Sequence, residues 1–311
     1  MEYVPLRIST VGANSELTFD LYIFFKDQYL CYVPKGKSID EEKLEKLIHQ
    51  SITDFYIPKD QIDNVNVYLD QAIQMALCKE GISSEESIDL MEGVASTAIE
   101  QMQSEPNEKS YSMTQKAAKG LRELMTQNPS ALKILFGKKS KEADQIINHC
   151  INVCTLATKL AEHIKLPSDE IDELATAALI HDIGLPHLKR ETLELFSKDR
   201  EEMKNEERFE YFKHTKISSQ LLSSKPFISK QVEELIEFHE ENLQGTGPFK
   251  KTKLSPLQEC LNLVNTYDKR VFTKKETPAE AFKAFQIDYI GMFNLELIKR
   301  FELVLKEEGL L

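Results

Sequence analysis

Residues 177 to 185 read Ala-Ala-Leu-Ile-His-Asp-Ile-Gly-Leu, an apolar run that carries an imidazole and a carboxylate into what should be a core and then stops at Gly184. A buried carboxylate costs several kcal/mol unless it is paired or bound to metal, so any fold of this chain must set a partner beside Asp182. A metal ion is one candidate. The other reading is a polar helix C-terminus capped by Gly184. Nine residues do not decide between them; the rest of the chain has to.

With 311 residues, 41% of them hydrophobic and 29% charged, the chain has room for two domains and a full core. A formal charge of -12 argues against an extended nucleic-acid or anionic-membrane surface, but leaves room for a small anionic ligand held by metal. The five cysteines, at 31, 78, 150, 154 and 260, form no CxxC pair and are odd in number, which points to a reducing compartment. The start at Met1 is neither basic nor followed by an apolar signal core, and no apolar run reaches membrane-spanning length. The expected location is the cytoplasm.

Residues 1–60 are expected to form a small α/β unit with a regulatory or interaction role. Leu17–Phe25 and Gln28–Val33 are rich in aromatic and β-branched residues and are joined by Lys26-Asp27, which predicts a hairpin. A helix capped by Asp40, with Leu44, Leu47 and Ile48 on one face, leads to a short strand at Phe55–Pro58. Residues 61–140 read as a polar helical connector of the kind that joins domains or makes a homodimer. Its breaks are expected at Gly81–Ser84, Ser104–Asn107 and Asn128–Ser130, with Met91, Val94, Ile99 and Met102 as packing residues.

Residues 141–311 are expected to be all-α. Apolar residues from Ile146 to Ile164 recur at helical spacing with His149 beside them, and Leu166-Pro167-Ser168 then starts the helix that ends in His181-Asp182. These two neighbours point about 100° apart on a helix, so they can serve two metals or two sides of one. His214 lies one turn before Ile217, His239 continues the stripe of Val232, Leu235 and Ile236, and Asp268 ends the stripe of Leu257, Leu261 and Val264. Four of the seven histidines and two aspartates thus fall where leucine would be expected. One such histidine is more often a hydrogen-bonded core residue than a ligand; repetition over five helices reverses that weight. Mixed imidazole and carboxylate ligands suit iron, manganese, cobalt or zinc, and a carboxylate can bridge two ions about 3.5–4 Å apart. Asp182 is the bridge of choice, and a hydroxide held between such ions can attack phosphorus in line with the leaving oxygen. Cys150 and Cys154 read as small core residues, His49 as exposed, and His163 and His187 as surface residues or supports behind a ligand.

The order His149, His181-Asp182, His214, His239, Asp268 resembles the HD phosphohydrolase superfamily and, more narrowly, the HD-GYP phosphodiesterases, which hydrolyse the bacterial second messenger cyclic di-GMP. The likeness covers residues 125–311, including Asn128–Leu132, Tyr267-Asp268 and Phe293–Leu297. It implies an all-α HD-type domain following the α/β unit, α+β overall, with two divalent transition-metal ions, iron first and manganese next. One ion is expected on His149, His181, Asp182 and Asp268. The other is expected on Asp182, His214, His239 and the next residue, with Asp182 and His181 as the catalytic pair.

The family's His-His-Glu-x-x-Asp-Gly-x-Gly-Tyr-Pro is replaced here by residues 239–249, His-Glu-Glu-Asn-Leu-Gln-Gly-Thr-Gly-Pro-Phe. Register on Gly245 and Gly247 puts Glu240 where the second histidine belongs and Pro248 in place of the naming tyrosine. Leu185 replaces a lysine thought to contact the substrate phosphate, and Gln145 is neutral where members with three metals carry a glutamate. Candidate substrate contacts are Gly245, Gly247, Lys189 and Lys274, the two lysines reading equally as solvated surface. Glu241 would orient a metal-bound histidine or lie in solvent. The expected function is slow hydrolysis of a cyclic dinucleotide, cyclic di-GMP before others. A receptor that keeps the metals but does not cleave, and a phosphohydrolase of another nucleotide, stay open.

Overall fold

The computed structural model describes residues 2–50, 52–78, 82–138 and 144–311, and the chain divides into two compact units, Met1–Gln127 and Asn128–Leu311. In the first unit β1 (Tyr3–Arg7), β2 (Leu21–Phe25), β3 (Gln28–Val33) and β4 (Asp54–Pro58) form one antiparallel sheet in the order β1-β4-β2-β3. The expected hairpin is β2–β3, and both turn residues take the left-handed conformation of a type I′ turn, Lys26 at φ 49 and Asp27 at φ 60. Strand β1 was not foreseen; its Pro5 suits the edge position it occupies. Helix α1 (Glu41–His49) is capped by the Asp40 carboxylate, which accepts from the Lys43 N–H. Only Leu47 of its expected apolar face is buried, and Ile48 is half exposed.

The helices α2 (Ile62–Leu77), α3 (Ser84–Ser104) and α4 (Glu108–Gln127) do not stand apart as a connector. They pack on one another, and α3 covers β1, burying Met91, Val94, Ile99 and Met102. Thr97 accepts from the Arg7 N–H at 3.1 Å, and the Arg7 guanidinium reaches Glu100 at 2.7 Å. The expected boundary at 60 therefore lies inside one compact unit, because the apolar stripes of these helices and the inner face of the sheet need each other for burial. The boundary at 140 falls on residues outside those described, as does Gly81. Ser83 supplies the capping box of α3, and the other two expected breaks separate α3 from α4 and α4 from α5 (Ala131–Gly137).

Every regular element among the described residues of the second unit is a helix. It runs α5, α6 (Gln145–His163), α7 (Ser168–Ile180), α8 (Arg190–Leu193), α9 (Asn205–Tyr211), α10 (Lys213–Leu222), α11 (Lys230–Glu237), α12 (Pro256–Lys274), α13 (Pro278–Asp288) and α14 (Leu295–Glu307). Helix α6 packs against α7, α12 and α14, while α11 bridges α7 and α10. Residues Tyr267-Asp268 lie within α12, which continues to Lys274. Among the described residues no helix is long and apolar enough to cross a membrane.

Candidate metal centre

Five helices deliver the side chains singled out in the sequence. His149 lies in α6, His181 and Asp182 follow the last residue of α7, His214 is in the first turn of α10, His239 follows α11 and Asp268 is in α12. None of the six is more than 2% exposed, so water cannot solvate their polar atoms.

Three of the rings are held the same way. The Nδ1 atoms of His181, His214 and His239 lie 2.7, 2.6 and 2.6 Å from the carbonyl oxygens of Ala178, Tyr211 and Ile236, each three residues back. A carbonyl only accepts, so each Nδ1 carries the proton and each Nε2 turns a lone pair inward. The Nε2 atoms of His214 and His239 are 3.0 Å apart, and those of His181 and His149 are 3.3 Å apart. Lone pairs brought this close repel unless a cation lies among them.

Asp182 stands between the two pairs. Its Oδ1 is 3.2 Å from His214 Nε2 and 3.4 Å from His239 Nε2; its Oδ2 is 3.5 Å from His181 Nε2 and 3.8 Å from His149 Nε2. One carboxylate with an oxygen on each imidazole pair is the arrangement a bridging ligand needs. Two groups can each hold an ion, His149–His181–Asp182 and Asp182–His214–His239, with donor atoms within 4.8 Å of one another. Asp182 Oδ1, although buried, has no aligned hydrogen-bond donor among the described residues. Converging lone pairs, an orphaned carboxylate oxygen and the imidazole–carboxylate donor set all fit a divalent metal.

Electrostatics agree. Burial alone would raise the Asp182 carboxyl, but the surrounding imidazoles, His181 first, hold it well below the usual carboxylate range. Burial pushes His181 down to about 3 against the pull of Asp182, so its ring is neutral and ready to ligate. At His239 burial works downward too, but Asp182 overcomes it and the ring binds a proton more tightly than the usual 6.5. In the metal-free chain this contribution to stability is complete below the unfolded value of 6.5 and is lost as pH rises through the raised folded value. A metal competes with that proton. Affinity for Mn²⁺ is therefore expected to strengthen from about pH 5.5 to about pH 8, with protons released to buffer. Calorimetric titration in two buffers of different ionisation enthalpy measures this, and a pH-independent affinity would contradict it.

Two further residues expected as ligands border the centre. Asp268 Oδ2 accepts from His149 Nδ1 at 2.6 Å and its Oδ1 accepts from Asn152 at 3.0 Å, so Asp268 orients the ring whose Nε2 faces the centre. Glu240 Oε1 takes the Arg200 guanidinium at 2.5 Å and lies 3.8 and 3.9 Å from His214 and His239 Nε2. Its Oε1 is thus shared with another cation, while its Oε2 is buried beside the second group without a hydrogen-bond donor among the described residues.

The expected substrate contacts are spread differently. Gly245 takes φ +67 and Gly247 is buried, with a Cβ there meeting the Glu240 carbonyl at 2.6 Å, so both shape the loop's backbone. Glu241 pins that loop, accepting from the Phe249 and Lys251 N–H groups at 2.6 and 2.7 Å, rather than orienting a histidine or lying in solvent. Lys189 is exposed at the start of α8, and the Lys274 ammonium is taken by Asp199 at 3.2 Å and Glu202 at 2.5 Å. Cys150 and Cys154 are buried thiols, Cys154 pushed up to about 12 by burial, which leaves them as packing groups.

Sequence reasoning missed Asn265, Arg200 and Lys269. The Asn265 amide donates to the His239 carbonyl at 3.2 Å, tying that half of the centre to α12, and its Oδ1 lies 2.9 Å from His149 Nε2 as a further oxygen beside the first group. Its place one turn before Asp268 was the available signal.

Comparison with known proteins agrees with this geometry. A family model described as HD domain matches residues 107–288, more than half of the chain. Among solved structures, Bd1817, a HDG"Y"P protein from Bdellovibrio bacteriovorus, is similar with a TM-score of 0.78 and 25% identity over 98% of this chain and 100% of that one. No curated protein sequence matches. The chain belongs to the HD domain family, as an HD-GYP member without the tyrosine of that motif, and is a metal-dependent HD phosphohydrolase.

Proposed function

We propose that the protein is a phosphodiesterase that hydrolyses a cyclic dinucleotide, cyclic di-GMP first, at a centre of two metal ions, iron before manganese. The observation that carries this reading is Asp182, shared by two three-residue groups with one oxygen toward each. His149 and His181 would hold one ion, His214 and His239 the other, and Asp182 both, with Asp268 and Glu240 as flanking carboxylates. When bound, such ions activate water and neutralise charge on a phosphoryl group. The chain's own part is to offer neutral imidazoles, to keep a buried carboxylate ionised between them and to exclude bulk water.

Turnover is expected to be slow. Leu185 is fully buried in an apolar cluster with Phe196, Met203 and Tyr211, so position 185 supplies no proton to a leaving oxygen. The same observation, with Pro248 in the loop, favours a second reading in which the protein binds the dinucleotide and signals without cleaving it. Exposed Phe24, Phe25, Tyr29 and Leu30 on the β2–β3 hairpin support a regulatory or partner-binding role for the first unit, and the site of action would be the cytoplasm.

The test is the full chain loaded with Fe²⁺ or Mn²⁺ and offered cyclic di-GMP, its linear dinucleotide and a nucleotide monoester, with binding and chromatographed products measured together. Cleavage of cyclic di-GMP supports the enzyme, and binding without product supports the receptor. Cleavage of the monoester alone moves the protein to another substrate, and neither binding nor cleavage of any of them removes the nucleotide reading.

A further inference from the structure

Lys269 is 3% exposed and its Nζ has no hydrogen-bond acceptor among the described residues. The amine lies over the Phe196 ring, 2.9 Å from its centroid, with the Tyr211 ring 5.5 Å away. Burying an ammonium group on aromatic faces alone costs more than burying a methionine of similar length, so packing gives no reason for a lysine here. Lys269 lines a pocket of about 10 Å³, room for one water-sized group, with Asp199, Arg200, Thr266, Arg270, Thr273 and Tyr289. Arg270 is engaged by Glu276 and Asp288, but Arg200 retains a buried Nε without an acceptor while its other nitrogens reach Glu240 and Thr266. Two nitrogen groups on different elements, each without an acceptor, therefore line one small space whose wall also carries the Thr266, Thr273 and Tyr289 hydroxyls and the Asp199 carboxylate, the last held by Lys274.

This space adjoins the metal centre. Arg200 is bonded to Glu240, whose carboxylate borders His214 and His239, and the Phe196 ring under the Lys269 amine is 5.7 Å from the His149 ring. What is missing is a single negatively charged oxygen, small enough to enter this space and accept from both nitrogens. We propose that Lys269 and Arg200 form an oxyanion-binding site that receives a non-bridging phosphate oxygen of the substrate beside the metal centre. The proposal rests on the phosphoester reading above and adds residues that would hold the phosphoryl group where the buried Leu185 offers no charge.

Inorganic phosphate is the probe, titrated into the metal-loaded full chain with metal content measured in parallel. Lys269→Met is expected to weaken phosphate binding about ten- to a hundredfold, the loss of one charge-assisted hydrogen bond, with metal content unchanged. Its unfolding temperature without phosphate should be equal or higher, since an unsatisfied buried amine has been removed; a lysine with a purely structural role would give the opposite sign. Lys299→Met, at an exposed position of α14, serves as the surface control and should change neither quantity. Unchanged phosphate affinity in Lys269→Met, no phosphate binding by the parent chain, or loss of stability together with metal would each overturn the proposal. Should Lys269→Met not fold, Lys269→Gln is read by the same criteria. Phosphate binding through Lys269 in a chain that neither binds nor cleaves a dinucleotide would sink the phosphodiesterase reading alone. Dinucleotide cleavage with unchanged phosphate affinity in Lys269→Met would sink this proposal alone.

Discussion

Asp182→Ala is expected to take the chain from two metal ions to none and to lower hydrolysis by at least about a thousandfold, ~4 kcal/mol of transition-state stabilisation. Asp182 alone belongs to both groups, so its removal takes a ligand from each, whereas His149→Ala and His214→Ala each touch one group and should leave an ion in the other. The carboxylate is also the anion that lies nearest all four converging imidazoles, and without it only the flanking Glu240 and Asp268 carboxylates offset a cation there. Elemental analysis of protein purified under metal-replete conditions checks the content. A second readout is stability: metal at a hundred times its Kd contributes about 2.7 kcal/mol, so a chelator should lower the unfolding temperature of the parent chain and leave that of Asp182→Ala unmoved. Asp182→Asn keeps the shape and one acceptor oxygen and should fall between the two. An Asp182→Ala protein with its full metal complement would remove the shared carboxylate from the centre and the two-ion reading with it.

The residues that converge on Asp182 were legible in the sequence because each violates a pattern. A histidine on a leucine stripe is conspicuous one helix at a time, and four of them with an aspartate at a helix end constrain one another even before the helices are arranged. What patterns do not carry is which atom faces which. Asp268 sits on the same stripe as Leu261 and Val264, but whether its carboxylate meets a metal or the far nitrogen of His149 depends on how α12 is rotated against α6, a matter of packing. Glu240 was readable as a ligand by register with Gly245 and Gly247, whereas Arg200, forty residues earlier in an irregular stretch, gave no periodic signal. Lys269 and Lys274 look alike in sequence and differ wholly in surroundings, one buried over Phe196 and the other held at the surface by Asp199 and Glu202. The helices at 61–127 read as a polar connector because their exposed faces dominate the composition; their buried faces pack on the sheet, and the sheet's first strand went unread behind Pro5.

Gly184→Ala is the second large effect expected, and it acts through backbone rather than through a ligand. A Cβ at Gly184 would lie 2.4 Å from the His214 carbonyl oxygen, 2.7 Å from the Ser218 nitrogen and 2.8 Å from the Ser218 hydroxyl. Two of these three atoms are main chain of α10, which cannot rotate aside as a side chain would. The turn after α7 carries His181 and Asp182, and α10 carries His214, so the methyl group wedges apart the two segments that bring Asp182 Oδ1 to 3.2 Å from His214 Nε2. It also breaks the bond that Gly184 N–H donates to Ser218 Oγ at 2.9 Å. Overpacking of this kind costs about 1–3 kcal/mol, and here the upper end is expected because the neighbours are backbone. A displacement of about 1 Å at a reacting centre can lower the rate about a hundredfold, so activity and metal content in the His214 group should fall even where the variant still folds. Gly137→Ala is the matched control, since a Cβ there meets nothing within 4 Å. Unfolding temperatures with and without chelator separate the two losses. Parent-like stability and a full metal complement in Gly184→Ala would mean that α7 and α10 do not approach each other as closely as the site requires.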